Sequence, residues 1–202
     1  MTETPVPEGI DAGGVTAWFE AHAPGVVPPL RFSLIAGGRS NFTYTATDSA
    51  GARFVLRRPP LGPLLPSAHD MGREHRVIAA LGPSPVPVPP VVGLCTDEAV
   101  TGAPFYVMRF VDGLILRDPE AAAAVPESTR LAAAESLVDV LADLHRLDPA
   151  AVGLGDLGRQ DGYVERLLRR WRGQWEKSKS RDLPLVDEVA ERLAADIPPA
   201  GP

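Results

Sequence analysis

Gly37-Gly38-Arg39-Ser40-Asn41 lies between two strand-like runs, Arg57 closes a third such run, and Glu74 follows on a helix. A turn between strands needs residues that accept positive φ and let backbone come close to a ligand, and glycine does both. Successive backbone N–H groups in such a turn form a concavity that suits an anion. Ser40 and Asn41 add short polar side chains able to hydrogen-bond a phosphate or to pin the loop. Taken alone, the same pattern also describes a plain hairpin turn. The cation and the carboxylate downstream make it more than that.

Met71, Glu74, Ile78 and Leu81 are spaced i, i+3, i+7 and i+10, so a helix from about Ser67 to Leu81 carries them on one face. Glu74 then sits within an apolar stripe, where a carboxylate is costly unless paired. A helix tilted enough to carry Glu74 to solvent is the alternative. Pairing needs a cation, and the preceding strand ends in two. Strand alternation sends Val55 and Arg57 to one face and Phe54, Leu56 and Arg58 to the other. Arg57 is the first choice of partner and Arg58 the second.

The elements that must position these groups are legible from periodicity. Residues 1–30 read as a lead-in with a short helix near Val15 to His22. Strands are expected at Arg31–Ile35, Phe42–Thr47, Ala52–Arg58, Val91–Thr96 and Phe105–Phe110. Asp48-Ser49-Ala50-Gly51 has hairpin chemistry. Ser67-Ala68-His69-Asp70 resembles a capping box, and Gly82-Pro83 is a stop signal. Five prolines between Pro83 and Pro90 make a stiff, extended connector. Beyond Gly113 the pattern is helical. It has a short helix from Asp118 and a longer one over Ser128–Arg146 with a Leu137, Val140, Leu141, Leu144 stripe. Two more are expected, at Tyr163 to about Lys179 and Leu185–Ala195. The expected class is α+β: five antiparallel strands with one helix over 31–113, then helices over 114–202.

In order and spacing these motifs resemble the N-terminal lobe of the aminoglycoside and choline kinase-like phosphotransferases. The branch associated with acyl-CoA dehydrogenases is the most similar. The resemblance runs from about Leu30 to Ala195 and includes Leu144-His145-Arg146-Leu147-Asp148 and Tyr163 to Trp175, which are similar to the family's helical lobe. It implies a protein-kinase-like fold, ATP as phosphate donor, Mg²⁺, and a small-molecule hydroxyl as acceptor. Gly37, Gly38, Ser40 and Asn41 would meet the phosphates, with Arg57 held by Glu74 orienting them. Val55 and the hinge Met108, Arg109, Phe110 and Val111 would meet the base.

Two departures follow from the same resemblance. Arg57 stands where kinases generally use Lys; it keeps the charge but is a bulkier, forked donor. The family's His-Gly-Asp catalytic loop with its Asn, and its later metal-binding Asp, would lie beyond Pro202, so the helical lobe is expected to be incomplete and the chain inactive alone. Asn41 is the only asparagine. His145-Arg146-Leu147-Asp148 imitates a catalytic motif, but Gly153 rather than Asn stands five residues after Asp148. Asp156-Leu157-Gly158 likewise imitates a metal-binding motif and is better read as loop. No catalytic residue and no metal ligand is assigned.

Composition agrees with a protein that handles small molecules. A formal charge of −6 gives no global reason to expect nucleic acid, and no apolar run approaches a membrane span. Cys95 stands alone, which excludes an internal disulfide and fits a cytoplasmic setting. Arg166, Arg169, Arg170, Arg172, Lys177, Lys179 and Arg181 cluster around Trp171 and Trp175, interrupted by Glu165 and Glu176. A solvated helix with a core-facing side fits best, ahead of an acceptor-cleft role or an anionic polymer or membrane. Exposed helix faces would favour a homodimer. A non-catalytic nucleotide-binding or scaffold module, and a globular interaction domain without nucleotide, are the alternatives from other classes.

Overall fold

The computed structural model describes residues 5–35, 41–62, 69–159 and 162–198. Gly37, Gly38, Ser40, Ser67 and Ala68 lie outside the described residues. Contacts divide the chain into two units, Met1–Val152 and Gly153–Pro202.

In the first unit, Arg31–Leu34 (β1), Phe42–Thr47 (β2), Arg53–Arg58 (β3), Val91–Cys95 (β4) and Phe105–Arg109 (β5) form one sheet in the order β1-β2-β3-β5-β4. Every pairing is antiparallel. The β2–β3 hairpin is closed by Asp48, whose carboxylate accepts hydrogen bonds from the N–H groups of Ala52 (2.7 Å), Ala50 (3.0 Å) and Val27 (3.0 Å). Gly51 occupies φ +89° at this turn, a conformation that a side chain would strain.

Alternation gives the sheet two unlike faces. On one, Phe54 and Leu56 of β3 stand beside Tyr44 and Ala46 of β2 and Val107 of β5, all nearly or fully buried. The helix Ala12–His22 (α1), capped by Asp11 at its N-terminus, closes this face with Val15, Trp18 and Phe19. Phe19 meets Phe54 edge-on at 5.2 Å, and Trp18 meets Phe105 at the same distance. Gly93 lies at the β4 irregularity, where a Cβ would stand 3.3 Å from the Trp18 ring. The segment expected as a lead-in therefore supplies much of this core.

The opposite face carries Thr43 and Thr45 of β2, Val55 and Arg57 of β3, and Tyr106 and Met108 of β5. Met71–Leu81 (α2) packs on this side against β4 and β5. Asp70 caps it by accepting from the Arg73 N–H at 2.9 Å. The helix thus begins three to four residues later than the Ser67 start expected from the capping-box pattern.

Arg58 points to the α1 face and is 3% exposed. Its guanidinium donates to the carbonyl oxygens of Gly9 and Thr101, tying the N-terminal segment and the loop before β5 to the end of β3. Tyr44 hydroxyl donates to Glu8 O at 2.6 Å beside it. Burial lowers the Arg58 pKa and raises that of Tyr44. Pro119–Ala123 (α3) and Glu127–Arg146 (α4) follow in the same unit, joined by the Arg130 side chain donating to Ala122 O at 3.0 Å. The apolar stripe expected on α4 is exposed: Leu137 is 70% and Leu141 48% accessible.

The second unit contains Tyr163–Ser178 (α5) and Pro184–Ala195 (α6), which pack on one another. Trp175 Nε1 donates to Asp187 Oδ1 at 3.1 Å. Arg172 reaches Glu191 at 3.7 Å, and Lys179 pairs with Glu176 at 2.8 Å. The basic run is thus partly neutralised by nearby acids, as a solvated helix would have it.

Candidate nucleotide site

The site is built on the α2 side of the sheet, at the ends of β2 and β3. Arg57 stands directly between Thr43 and Tyr106 in the strand register. Its Nε donates to Glu74 Oε2 at 2.7 Å and its Nη1 donates to Thr43 Oγ1 at 3.0 Å. Among the described residues Nη2 has no partner. Both members of the ion pair are about one third exposed, 32% and 33%. The pair is accessible, and Arg58, on the far face, takes no part in it.

Glu74 is the hub. Oε2 also accepts from the Tyr106 hydroxyl at 3.1 Å, and Oε1 accepts from Asn41 Nδ2 at 2.8 Å. The carboxylate is held by one charged and two neutral donors from three different elements. Asn41 Oδ1 in turn lies 2.6 Å from His69 Nδ1. Burial is the first cause that raises the Tyr106 pKa, with the neighbouring Glu74 charge second, so its phenol remains a proton donor to Glu74. His75 stacks edge-on against the Tyr106 ring at 6.2 Å, and burial lowers its pKa.

The hinge is more selective than its sequence suggests. The Arg109 N–H donates to Pro90 O at 2.8 Å and the Phe110 N–H to Arg53 O at 3.2 Å. These two donors are used inside the fold. Arg109 lies over the Phe54 ring at 4.6 Å and Arg53 over the Phe110 ring at 4.2 Å, while Arg53 also pairs with Asp112. Val111, 61% exposed, makes no backbone hydrogen bond among the described residues. Met108 pairs with Val55 across β3 and β5, which makes an apolar floor beside Arg57.

The structure therefore brings Asn41, Val55, Arg57, Glu74 and Met108 to one face, with Arg109, Phe110 and Val111 at its edge. Gly37, Gly38 and Ser40 are not among the described residues. Thr43, Tyr106 and His69 join the network without having been singled out in the sequence. Alternation alone could have found the first two, since Thr43 is two residues from Thr45 on the Arg57 face and Tyr106 two from Met108. His69 has no such signal, because its reach depends on a local turn. Among the described residues no three His, Cys, Asp or Glu side chains converge as a metal site. Asp148 accepts from the Ala150 N–H at 2.9 Å, a turn role, and His145 is exposed at the end of α4.

The family described as "Phosphotransferase enzyme family" matches residues 31–202. Chicken (Gallus gallus) "Acyl-CoA dehydrogenase family member 11" is 38% identical over 167 residues, which is 81% of this chain and 21% of that protein. A solved structure from Ralstonia eutropha, described as a "putative aminoglycoside phosphotransferase", superposes with a TM-score of 0.77 at 32% identity. It covers 93% of this chain and 54% of its own. "Macrolide 2'-phosphotransferase type I" shares the fold, with a TM-score of 0.55 at 19% identity, over 96% of this chain and 62% of its own. The chain thus spans about a fifth of the length of the chicken protein and about half of the Ralstonia one.

Proposed function

The chain belongs to the phosphotransferase enzyme family, and on that premise we propose that it carries the nucleotide-binding half of an ATP-dependent kinase of small-molecule hydroxyl groups. The observation that carries the reading is the Arg57–Glu74 pair on the α2 face of the sheet, whose Nη2 edge has no partner among the described residues. ATP lies on that face. Its adenine rests on Val55 and Met108 and takes a hydrogen bond from the Val111 backbone, the hinge N–H not already engaged. Its phosphates meet Gly37, Gly38 and Ser40 and the Nη2 edge of Arg57.

Phosphoryl transfer is catalysed by positioning and by charge neutralisation rather than by covalent chemistry on the protein. Arg57 supplies the positioned cation. Glu74 keeps it from following the phosphates out of register, and Thr43 fixes its rotation. A guanidinium offers two parallel donors to a phosphate where a lysine would offer a point charge. Mg²⁺, where bound, would supply further charge neutralisation to the phosphates. The described residues of this chain do not supply a ligand set that fits it, and neither the metal ligands nor the catalytic base is assigned here.

Removing one preorganised charge contact to the transition state typically costs about 10²–10³ in rate. Residues 1–202 alone are expected to bind ATP weakly and to transfer no phosphate above background. A longer protein that includes a His-Gly-Asp and Asn loop is expected to turn over, and Arg57→Met in it to lose about two to three orders of magnitude in kcat/KM. Turnover by residues 1–202 would sink the assignment. The second reading, a nucleotide-binding module without transfer, draws on the absence of a converging metal-ligand cluster among the described residues. It predicts ATP binding with no gain of activity in the longer protein.

A further inference from the structure

We infer that Asn41 and His69 are positioning residues that lock the Glu74 carboxylate, and through it the guanidinium of Arg57. The geometry leaves little freedom. Glu74 receives Arg57 and Tyr106 on Oε2 and Asn41 on Oε1, so both oxygens are engaged and rotation of the carboxylate is stopped. A carboxylate is acceptor-only, which makes the Asn41 atom facing it the amide nitrogen. Asn41 Oδ1 must then face His69, and His69 Nδ1 donates to it.

Asn41 is 7% exposed, so both ends of its amide need partners. His69 stands at φ +62°, the non-glycine residue with positive φ among those described. That conformation is unfavourable for an L-residue and persists where the surroundings impose it. Here it comes immediately before the Asp70 cap of α2 and aims the ring at Asn41. The chain His69–Asn41–Glu74–Arg57 therefore links the entry of α2, the start of β2 and the end of β3. Asn41 is placed to be neutral: an aspartate there would repel Glu74, and a lysine would compete with Arg57 for it.

That this lock serves phosphate binding rests on the nucleotide reading; that it orders Arg57 does not. The two are separable in residues 1–202 carrying Asn41→Ala, Asn41→Asp or His69→Gly. The first measurement is proton exchange of the Arg57 Nε–H signal by ¹⁵N NMR, assigned by its loss in Arg57→Lys. The second is the affinity for ATP and for adenosine. Asn41→Ala is expected to speed Nε–H exchange and to weaken ATP about tenfold while adenosine is unchanged, and Asn41→Asp to do more. His69→Gly accepts φ +62° and so should keep or raise the melting temperature while still loosening Arg57. Unchanged Nε–H exchange in both Asn41→Ala and His69→Gly would overturn the lock. Equal loss of ATP and adenosine would overturn its link to phosphate. Faster exchange without any ATP binding by the unaltered chain would leave the lock standing and remove the nucleotide reading.

Discussion

Arg57 and Arg58 are neighbours in sequence with opposite tasks, because strand alternation puts them on opposite faces of β3. Arg58 is enclosed, and its partners are the backbone carbonyls of Thr101 and of Gly9, the latter also accepting from the Thr101 hydroxyl at 2.7 Å. Arg58→Met is expected to cost about 2–4 kcal/mol in urea denaturation, from lost hydrogen bonds to a charged group and from the stranded Thr101 carbonyl. Arg57 is one third exposed, so its pair is largely screened, and Arg57→Met is expected to cost under about 1 kcal/mol. Its effect should appear instead in ATP affinity. Equal stability losses in the two variants would contradict this division. Sequence alone ranked Arg57 ahead of Arg58, because only one strand face can also receive the inward face of the following helix. It could not find the buried contacts of Arg58, which come from residues 9 and 101, far away in the chain.

Asp48 belongs to the same scale and carries a pH dependence. The Val27 N–H is the largest cause that holds its pKa below the ordinary carboxylate range, and the Ala52 and Ala50 N–H groups add to it. A carboxyl whose folded-state pKa is depressed contributes stability that is full above its unfolded pKa and fades as pH falls through its folded pKa. Urea midpoints for the unaltered chain should therefore fall below about pH 4. Asp48→Asn should start lower at neutral pH and show a flatter acid limb. An identical acid limb in both would assign that loss to other carboxylates.

Among the elements, α1 separates what was legible from what was not. Strand positions were readable to within a residue, since β-branched and aromatic alternation ends sharply at glycine and proline. The helix of residues 12–22 was readable as a helix too, but its place was not. Val15, Trp18 and Phe19 have i, i+3, i+4 spacing, which says one face is apolar without saying what it covers. The structure shows it closing the apolar face of the sheet, so that the other face is left to Arg57, Thr43 and Tyr106. Phe19→Ala should therefore cost about 3–5 kcal/mol, as expected for a buried aromatic. A cost under about 1 kcal/mol would mean that α1 is an appended helix and that the sheet keeps its shape without it. The capping-box pattern at Ser67 misplaced the start of α2 for a related reason: two polar residues three positions apart, Ser67 and Asp70, both suit a cap, and pattern cannot choose between them.

At the scale of the whole molecule, the sheet and the later helices differ in how they are stabilised. The sheet with α1 has a continuous buried core, whereas α4 of the same unit and α5 and α6 of the second contain no buried residue. Leu137, Val138 and Leu141 on α4, Trp171 on α5, and Leu185 and Leu193 on α6 are all 48% exposed or more. Helix faces of this kind are stable in water only when something covers them, because apolar area left exposed forgoes about 25 cal/mol per Å². For the chain studied alone, a second copy is the cover always present. Residues 1–202 are accordingly expected to self-associate at micromolar concentration in sedimentation velocity. Leu137→Glu with Leu141→Glu, at positions 70% and 48% exposed, should shift the distribution to monomer without moving the melting transition of the sheet. A chain that stays monomeric at hundreds of micromolar would show that these faces need no partner. A double variant that unfolds the sheet would show that α4 supports it in a way its exposure does not reveal.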